Sequence, residues 1–163
     1  MLPEINTILY ATDLSENSPH AARYAVYLAQ KTGAKIHVLH VAERLPADAL
    51  DTLEDYLDKD GNREQFLATR LENSKKLLKK RFDNFWDSMD ENERSLKKHV
   101  ASMHVVESTA AESIVELANK TGADLIVMGT HQKGRLQAFL GSISRRVLSM
   151  SKVPILVVPI GNS

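Results

Sequence analysis

DLIVMGTHQKGRLQAFLGSIS, residues Asp124–Ser144, is the stretch whose reading decides the fold. Leu125, Ile126, Val127 and Met128 form a short apolar run stopped by Gly129, a length compatible with a strand buried on both faces. A loop feeding a helix follows: Gly129, Gly134 and Gly141 are three of the seven glycines in the chain, and Gly141-Ser142 stands directly before apolar residues at helical spacing. Strand, glycine-bearing loop and helix N-terminus together let backbone N–H groups and the helix dipole converge on an anion such as a phosphate. The loop adds His131, Lys133 and Arg135 and no acidic residue. The bland alternative is a glycine turn that only reverses the chain.

Working outward, the same pattern recurs upstream. Ile5–Ala11 reads as a first strand ending at Thr12-Asp13-Leu14-Ser15, and Ser15, or Ser18 with Pro19 at the first helical position, can cap a helix. Ala21, Tyr24, Ala25, Leu28 and Ala29 form its apolar stripe, and Lys31-Thr32-Gly33 should end it with the glycine in a left-handed turn. Lys35–Ala42 is a second strand, rich in branched residues. The tetrapeptide Lys31-Thr32-Gly33-Ala34 returns as Lys120-Thr121-Gly122-Ala123 before the stretch quoted above, so two helix-to-strand corners share one solution. No shorter period links the copies, which speaks against a repeat architecture.

Residues 43–100 are polar and charged and contain no convincing strand. Leu67, Leu71, Leu78, Phe82 and Phe85 predict a long amphipathic helix over about Asn62–Met89, closed by Trp86. The basic run Lys75–Arg81 has leucines that fit the buried stripe and charges that fit a solvated face, with a nucleic-acid or acidic-lipid patch as the alternative. Leu45–Gly61 and Asp90–Lys98 read as charged connectors. Ala101–Val106 is then a third strand, and Ala111, Ile114, Val115 and Ala118 a helix capped by Ser108 or Thr109, with Glu112 in its first turn. Ile143, Val147, Leu148 and Met150 line a last helix, and Lys152–Pro159 is a final strand whose two prolines suit a sheet edge.

Alternating strands and helices imply a doubly wound parallel sheet, here of five strands, with helices on both faces and right-handed crossovers. Ligands of such sheets bind outside the carboxyl ends of the strands where the winding reverses. The loop with Thr12 and Asp13 and the loop Gly129–Ser142 would face each other there. At 163 residues the chain is expected to be one domain, residues 1–163, with a variable insert at about 44–98, and a chain of this size buries roughly 70% of its unfolded surface. Without cysteine there is no disulfide, thiolate nucleophile or Cys-bound metal. Lys plus Arg and Asp plus Glu number 21 each, which argues against a globally basic nucleic-acid binder. No apolar run reaches the roughly 18 residues of a membrane span and no basic leader opens the chain, so the cytoplasm is the expected location and no membrane contact is expected.

Several blocks of the chain resemble the universal stress protein family: Ile8–Ser15, Val38-Leu39-His40-Val41, Asp124–His131, Gly141-Ser142 and Val153–Val158. The likeness covers all five strands and implies a sheet of order 3-2-1-4-5, commonly dimeric through the last strand, here Pro154–Pro159. It also implies an adenine nucleotide, ATP or AMP, with or without Mg2+, across the carboxyl edge. Carried over, Asp13 would meet adenine and ribose, Val41 would hold adenine through its backbone, and Gly129 would contact the ribose. Gly141, Ser142 and Ile143 would offer N–H groups to the phosphates, and the Ser142 hydroxyl would join them. Ala11, Thr12, Met128, His131, Lys133, Gly134, Arg135 and Ser144 complete the expected binding set. The family's Gly-x2-Gly-x9-Gly-Ser/Thr pattern is altered: Gln132 stands at the second glycine, and Gly129 to Gly141 is one residue short, with Gly134 available for a displaced turn. Ala11 replaces a usual proline, and Ser108-Thr109-Ala110 replaces Gly-x-Pro. Lys133 and Arg135 could compensate by charge-assisted bonds to phosphate.

Other chemistry has little support. His37 and His40 lie on opposite faces of a strand and cannot chelate one metal. Phosphate-loop, nucleophile-elbow and zinc-protease motifs are absent from the sequence. No enzyme is expected, slow ATP turnover being the most these residues allow. Asp13 could also serve only as a helix-entry cap. The competing function is a nucleotide-free stress protein that recruits partners through its dimer surface and helical insert.

Overall fold

The structure, a computed structural model, describes residues 1–56, 63–130 and 140–159. Five parallel strands, β1 Thr7–Thr12, β2 Lys35–Glu43, β3 Val100–Ser108, β4 Leu125–Gly129 and β5 Ile155–Val158, form one sheet of order β3-β2-β1-β4-β5. The central β1, buried from Ile8 to Thr12, pairs with β2 on one side and β4 on the other. The crossovers between parallel strands supply α1 Ser18–Thr32, α5 Ala110–Thr121 and α6 Ser142–Met150, while α2 Ala47–Tyr56, α3 Arg63–Asp87 and α4 Glu91–Arg94 precede β3. Among the described residues no helix is long and apolar enough to cross a membrane.

The two Lys-Thr-Gly-Ala corners are built alike. Gly33 at φ 77° and Gly122 at φ 66° take the left-handed conformation that a β-carbon would penalise. Thr32 donates its hydroxyl to the Leu28 carbonyl at 2.7 Å, and Thr121 does the same to Leu117 at 2.8 Å. Ala34 and Ala123 are buried, and the next residues donate N–H groups to the Asn6 and Thr7 carbonyls at the start of β1. Asp124 adds a tie of its own: its carboxylate accepts the N–H groups of Asn6 at 2.8 Å and Thr7 at 3.0 Å.

Side chains alternate across the sheet, giving two cores. Ile8, Tyr10, Ile36, Val38, Val127 and Val158 face α1 and α3; Leu9, Ala11, Leu39, Ile126 and Met128 face α5 and α6. The insert contributes Leu78, Phe85 and Trp86 to the first core, and Phe82 lies between Tyr10 and Phe85, tilted against both, with centroid distances of 6.2 and 6.0 Å.

Four expectations need correction. The segments read as charged connectors carry helices: Ala47–Tyr56 is α2, and Glu91–Arg94 begins at a capping box in which Asp90 accepts the Glu93 N–H and the Glu93 carboxylate accepts the Asp90 N–H. A 3-10 turn, Ser95–His99, continues α4 into β3. Neither Ser15 nor Ser18 caps α1 by its side chain; the N-cap is Asn17 without a side-chain bond, and the Ser18 N–H donates to the Ser15 carbonyl in a preceding turn. Thr109 does hold the N-cap position of α5, also without a side-chain bond. Of the four apolar residues assigned to the face of α6 only Val147 is buried, because this short helix meets the sheet along one narrow line; Ile143, Leu148 and Met150 stay exposed. In the basic run Leu78 is buried but Leu77 is exposed, and Lys75 and Lys79 pair with Glu72 and Asp83, as on a solvated helix face.

Candidate functional site

The strand order reverses between β1 and β4, and the crossovers leave β1 and β4 toward opposite faces. Their carboxyl ends therefore diverge and leave a crevice. A cleft of about 680 Å³ lies there, within the usual range for small-molecule sites. β1 contributes Ala11, Thr12 and the following Asp13; β2 contributes Val41; β4 contributes Met128 and Gly129; the start of α6 contributes Gly141, Ser142, Ile143 and Ser144. Every site residue expected from sequence within the described segments thus lines one cavity. His131, Lys133, Gly134 and Arg135 lie outside the described residues, as does Gln132.

Hydrogen bonds within the first loop hold its shape. Asp13 Oδ1 accepts the Ser15 N–H at 2.9 Å, and Thr12 Oγ1 accepts the Leu14 N–H at 3.1 Å. Asp13 therefore closes a local turn and does not cap α1. Between these two bonds Leu14 adopts φ 59°, the one positive φ among described non-glycine residues, with its side chain in the first core. Such a conformation in a bulky residue persists only when its surroundings impose it, and it marks a site held in shape. Beneath the loop the Tyr10 hydroxyl donates to the Ser18 carbonyl at 2.9 Å, and burial pushes its pKa up to about 12. His40 Nδ1 lies 2.9 Å from the Thr12 carbonyl; facing a carbonyl, that nitrogen carries the hydrogen and donates it.

The opposite wall has a different character. Gly141 is the N-cap of α6 and has no side chain to offer, so the first N–H groups of the helix have no partner inside it. They carry the positive end of the helix dipole into the cleft. Arg145 stands one turn on, its Nε donating to the Leu140 carbonyl at 3.0 Å. Glu112 in the first turn of α5 pairs with Arg146, and its carboxyl is held below the usual range by its own backbone N–H first, with Thr109 and Arg146 adding to the effect. The cleft thus has carboxylates, Asp13 and Glu43, at the strand ends and amides with Arg145 at the helix end.

Sequence reasoning missed Glu43 and Arg145, although Glu43 lies two residues beyond the expected Val41 and Arg145 directly follows the expected Ser144. Glu43 also joins the insert to the rim, since Arg70 of α3 donates to its carbonyl at 3.0 Å. Tyr10, His40 and Ala110 are further wall residues. Only the register of β1 against β2, which sets Thr12 opposite His40, brings that histidine to the loop.

Comparison with known proteins bears on both family and fold. A model described as the universal stress protein family matches residues 4–159. The universal stress protein MJ0531 of Methanocaldococcus jannaschii is 33% identical over 152 residues, 93% of this chain and 80% of the relative. The solved structure of MJ0577 from the same organism superposes with a TM-score of 0.68 at 25% identity, covering 99% of this chain and 100% of that one. A universal stress protein in complex with cAMP superposes with a TM-score of 0.54 at 22% identity, covering 98% of this chain and 100% of that one.

Proposed function

The chain belongs to the universal stress protein family, and from that premise we propose that its carboxyl-edge cleft binds an adenine nucleotide, ATP or AMP, whose presence the protein signals through shape. One observation carries this reading: the cleft is polarised, with the first-turn amides of α6, uncapped by any side chain at Gly141, and Arg145 at one end and the Asp13 and Glu43 carboxylates at the other. Phosphates suit the first end, where backbone N–H groups can approach closely because Gly141 has no β-carbon. Ribose hydroxyls suit the Asp13 carboxylate, and the apolar wall of Ala11, Val41 and Met128 suits a base. The cAMP complex of one structural neighbour and the dAMP complex of another, from Archaeoglobus fulgidus, support the same ligand class. Among the described residues no three His, Asp or Glu side chains group to hold a metal, so Mg2+ would arrive on the phosphates.

The site works as a sensor in the cytoplasm and not as an enzyme. A nucleophile would need a base and an orienting group, and the hydrogen bonds of Asp13, Thr12 and His40 are directed into the loop's own backbone. The protein acts as a homodimer through Pro154–Pro159: β5 ends the sheet, and its outer edge carries no strand partner among the described residues. A protein that sediments as a monomer at every concentration would remove that part of the reading.

The test of binding is direct. Purified protein is denatured and its supernatant assayed for nucleotide, then ATP is titrated against thermal unfolding. At a hundredfold excess over Kd a bound ligand should stabilise by roughly 2.7 kcal/mol. Gly141→Val sharpens the test, because Gly141 has φ −61° and ψ 166°, a conformation valine adopts freely. The variant should fold normally and lose the ATP shift. An unchanged ATP affinity in it would sink the proposed pocket.

A further inference from the structure

β1 leaves the sheet at a point where only one neighbouring strand still holds it. Its pairing with β4 ends at Ala11 opposite Met128, its pairing with β2 ends one residue later at Thr12 opposite His40, and β2 itself runs on to Glu43. At that last rung a side chain reinforces the ladder. The His40 ring, partly buried and on the wall of the cleft, donates from Nδ1 to the Thr12 carbonyl at 2.9 Å.

The Thr12 carbonyl belongs to the peptide unit that carries Asp13. A peptide unit is planar from one Cα to the next, so fixing its oxygen fixes the plane from which Asp13 departs. Downstream, Asp13 Oδ1 accepts the Ser15 N–H at 2.9 Å and Thr12 Oγ1 accepts the Leu14 N–H at 3.1 Å. A series of side-chain bonds thus runs from β2 through Thr12 to one carboxylate. An ionised carboxylate has about four lone-pair sites on its two oxygens, so the Ser15 bond does not exhaust it.

Resting on the reading of the cleft as an adenine-nucleotide site, we propose that His40 is a positioning residue: by holding the Thr12 carbonyl it aims the Asp13 carboxylate at the ribose hydroxyls, and so sets the preference of the site for a sugar that bears them. A hydroxyl-to-carboxylate bond forms only within a narrow range of distance and angle. A group mounted on a turn meets that tolerance when a rigid element supports it, and β2 is that element. The imidazole keeps its bond to Thr12 in either charge state, because an imidazolium also carries hydrogen at Nδ1.

The experiment crosses proteins with ligands: the full chain is titrated calorimetrically with ATP and with 2′,3′-dideoxy-ATP, which lacks both ribose hydroxyls. Wild type should favour ATP by about tenfold or more, since a site that bonds a hydroxyl is left with unpaired polar groups by the analogue. His40→Phe keeps a ring and removes the donor, and should shrink that preference by about fivefold or more, a coupling of the size found within one hydrogen-bond network. His40→Asn, whose side-chain amide also offers an N–H two bonds from Cβ, should restore most of it. A general loosening of the cleft would weaken both ligands together and leave the ratio unmoved, so the ratio separates aiming from mere support. In the ligand-free chain, nitrogen-15 NMR of the His40 ring should place hydrogen on Nδ1. Wild type that binds both ligands equally, a ratio unmoved by His40→Phe, or a ring with hydrogen on Nε2 alone overturns this inference and leaves the nucleotide site standing. Wild type that binds neither ligand overturns the nucleotide site itself, and this inference with it.

Discussion

The two faces of the sheet are covered by different means. The face toward α1 and α3 is aromatic, with Tyr10, Phe82, Phe85 and Trp86 in a chain of ring contacts, the last of them at 5.0 Å. Among the described residues the core toward α5 and α6 holds no phenylalanine, tyrosine or tryptophan and is closed by alanines, valines, leucines, isoleucines and Met128. The core on that side is built over the middle of the sheet and takes no residue from β3. Large rings carried by a long helix reach further, so on the other side α3 also covers β3: Val100 and Val105 pack against the aromatic core. The insert is therefore a structural cover for half of one face, and its polar composition reflects only its outer surface.

The most severe test of that difference is Trp86→Ala. Truncating a buried aromatic in a packed core costs about 3–5 kcal/mol, and urea unfolding should show a loss in that range. A loss below about 1 kcal/mol would return the insert to the status of a connector.

The second test is alkaline. Tyr10 keeps its proton in the folded chain up to about pH 12, against 10.0 for an unperturbed tyrosine. The unfolded chain thus ionises first, so stability is full below pH 10 and falls as pH rises toward 12, by about 2–3 kcal/mol in all. Tyr10→Phe should flatten this limb of the stability profile. A limb of equal slope in the variant would show that the aromatic face does not hold the phenol neutral.

Val147→Ala probes the aliphatic face at the single fully buried side chain that α6 places there, and should cost about 2 kcal/mol. A larger loss than that of Trp86→Ala would reverse the ranking of the two faces. Leu77→Lys, on the wet side of α3, should change stability by less than about 0.5 kcal/mol. A greater effect would mean that this side of the insert is also covered.

What sequence could reveal of all this follows from the range of the forces involved. The corners were legible because a left-handed glycine, a threonine bonding back one turn and a buried alanine all act within a few residues. Strand order, by contrast, came through family likeness, and the cleft residues Asp13, Val41, Gly129 and Gly141–Ile143 with it. The capping box at Asp90 was readable in Asp90-Glu91-Asn92-Glu93 and passed over, since charged residues dominate the segment. The hydrogen bonds that join His37 and His104 through the Ser102 hydroxyl had no local trace, because they depend on a register shift between Ile36 and His37 that sets Ser102 beside His37. Glu43 and Arg145 stayed hidden for the same reason: only the assembled sheet brings them to a common cavity.

Leu14 gives the cleft a dependence on the interior. A left-handed step costs an ordinary L-residue roughly 1–2 kcal/mol, and here the step is enforced by a side chain wedged among the aromatics beneath. The strand-end wall of the cleft is thus anchored from below: the turn that carries Thr12 and Asp13 keeps its shape through the same aromatic packing that closes the far side of the sheet.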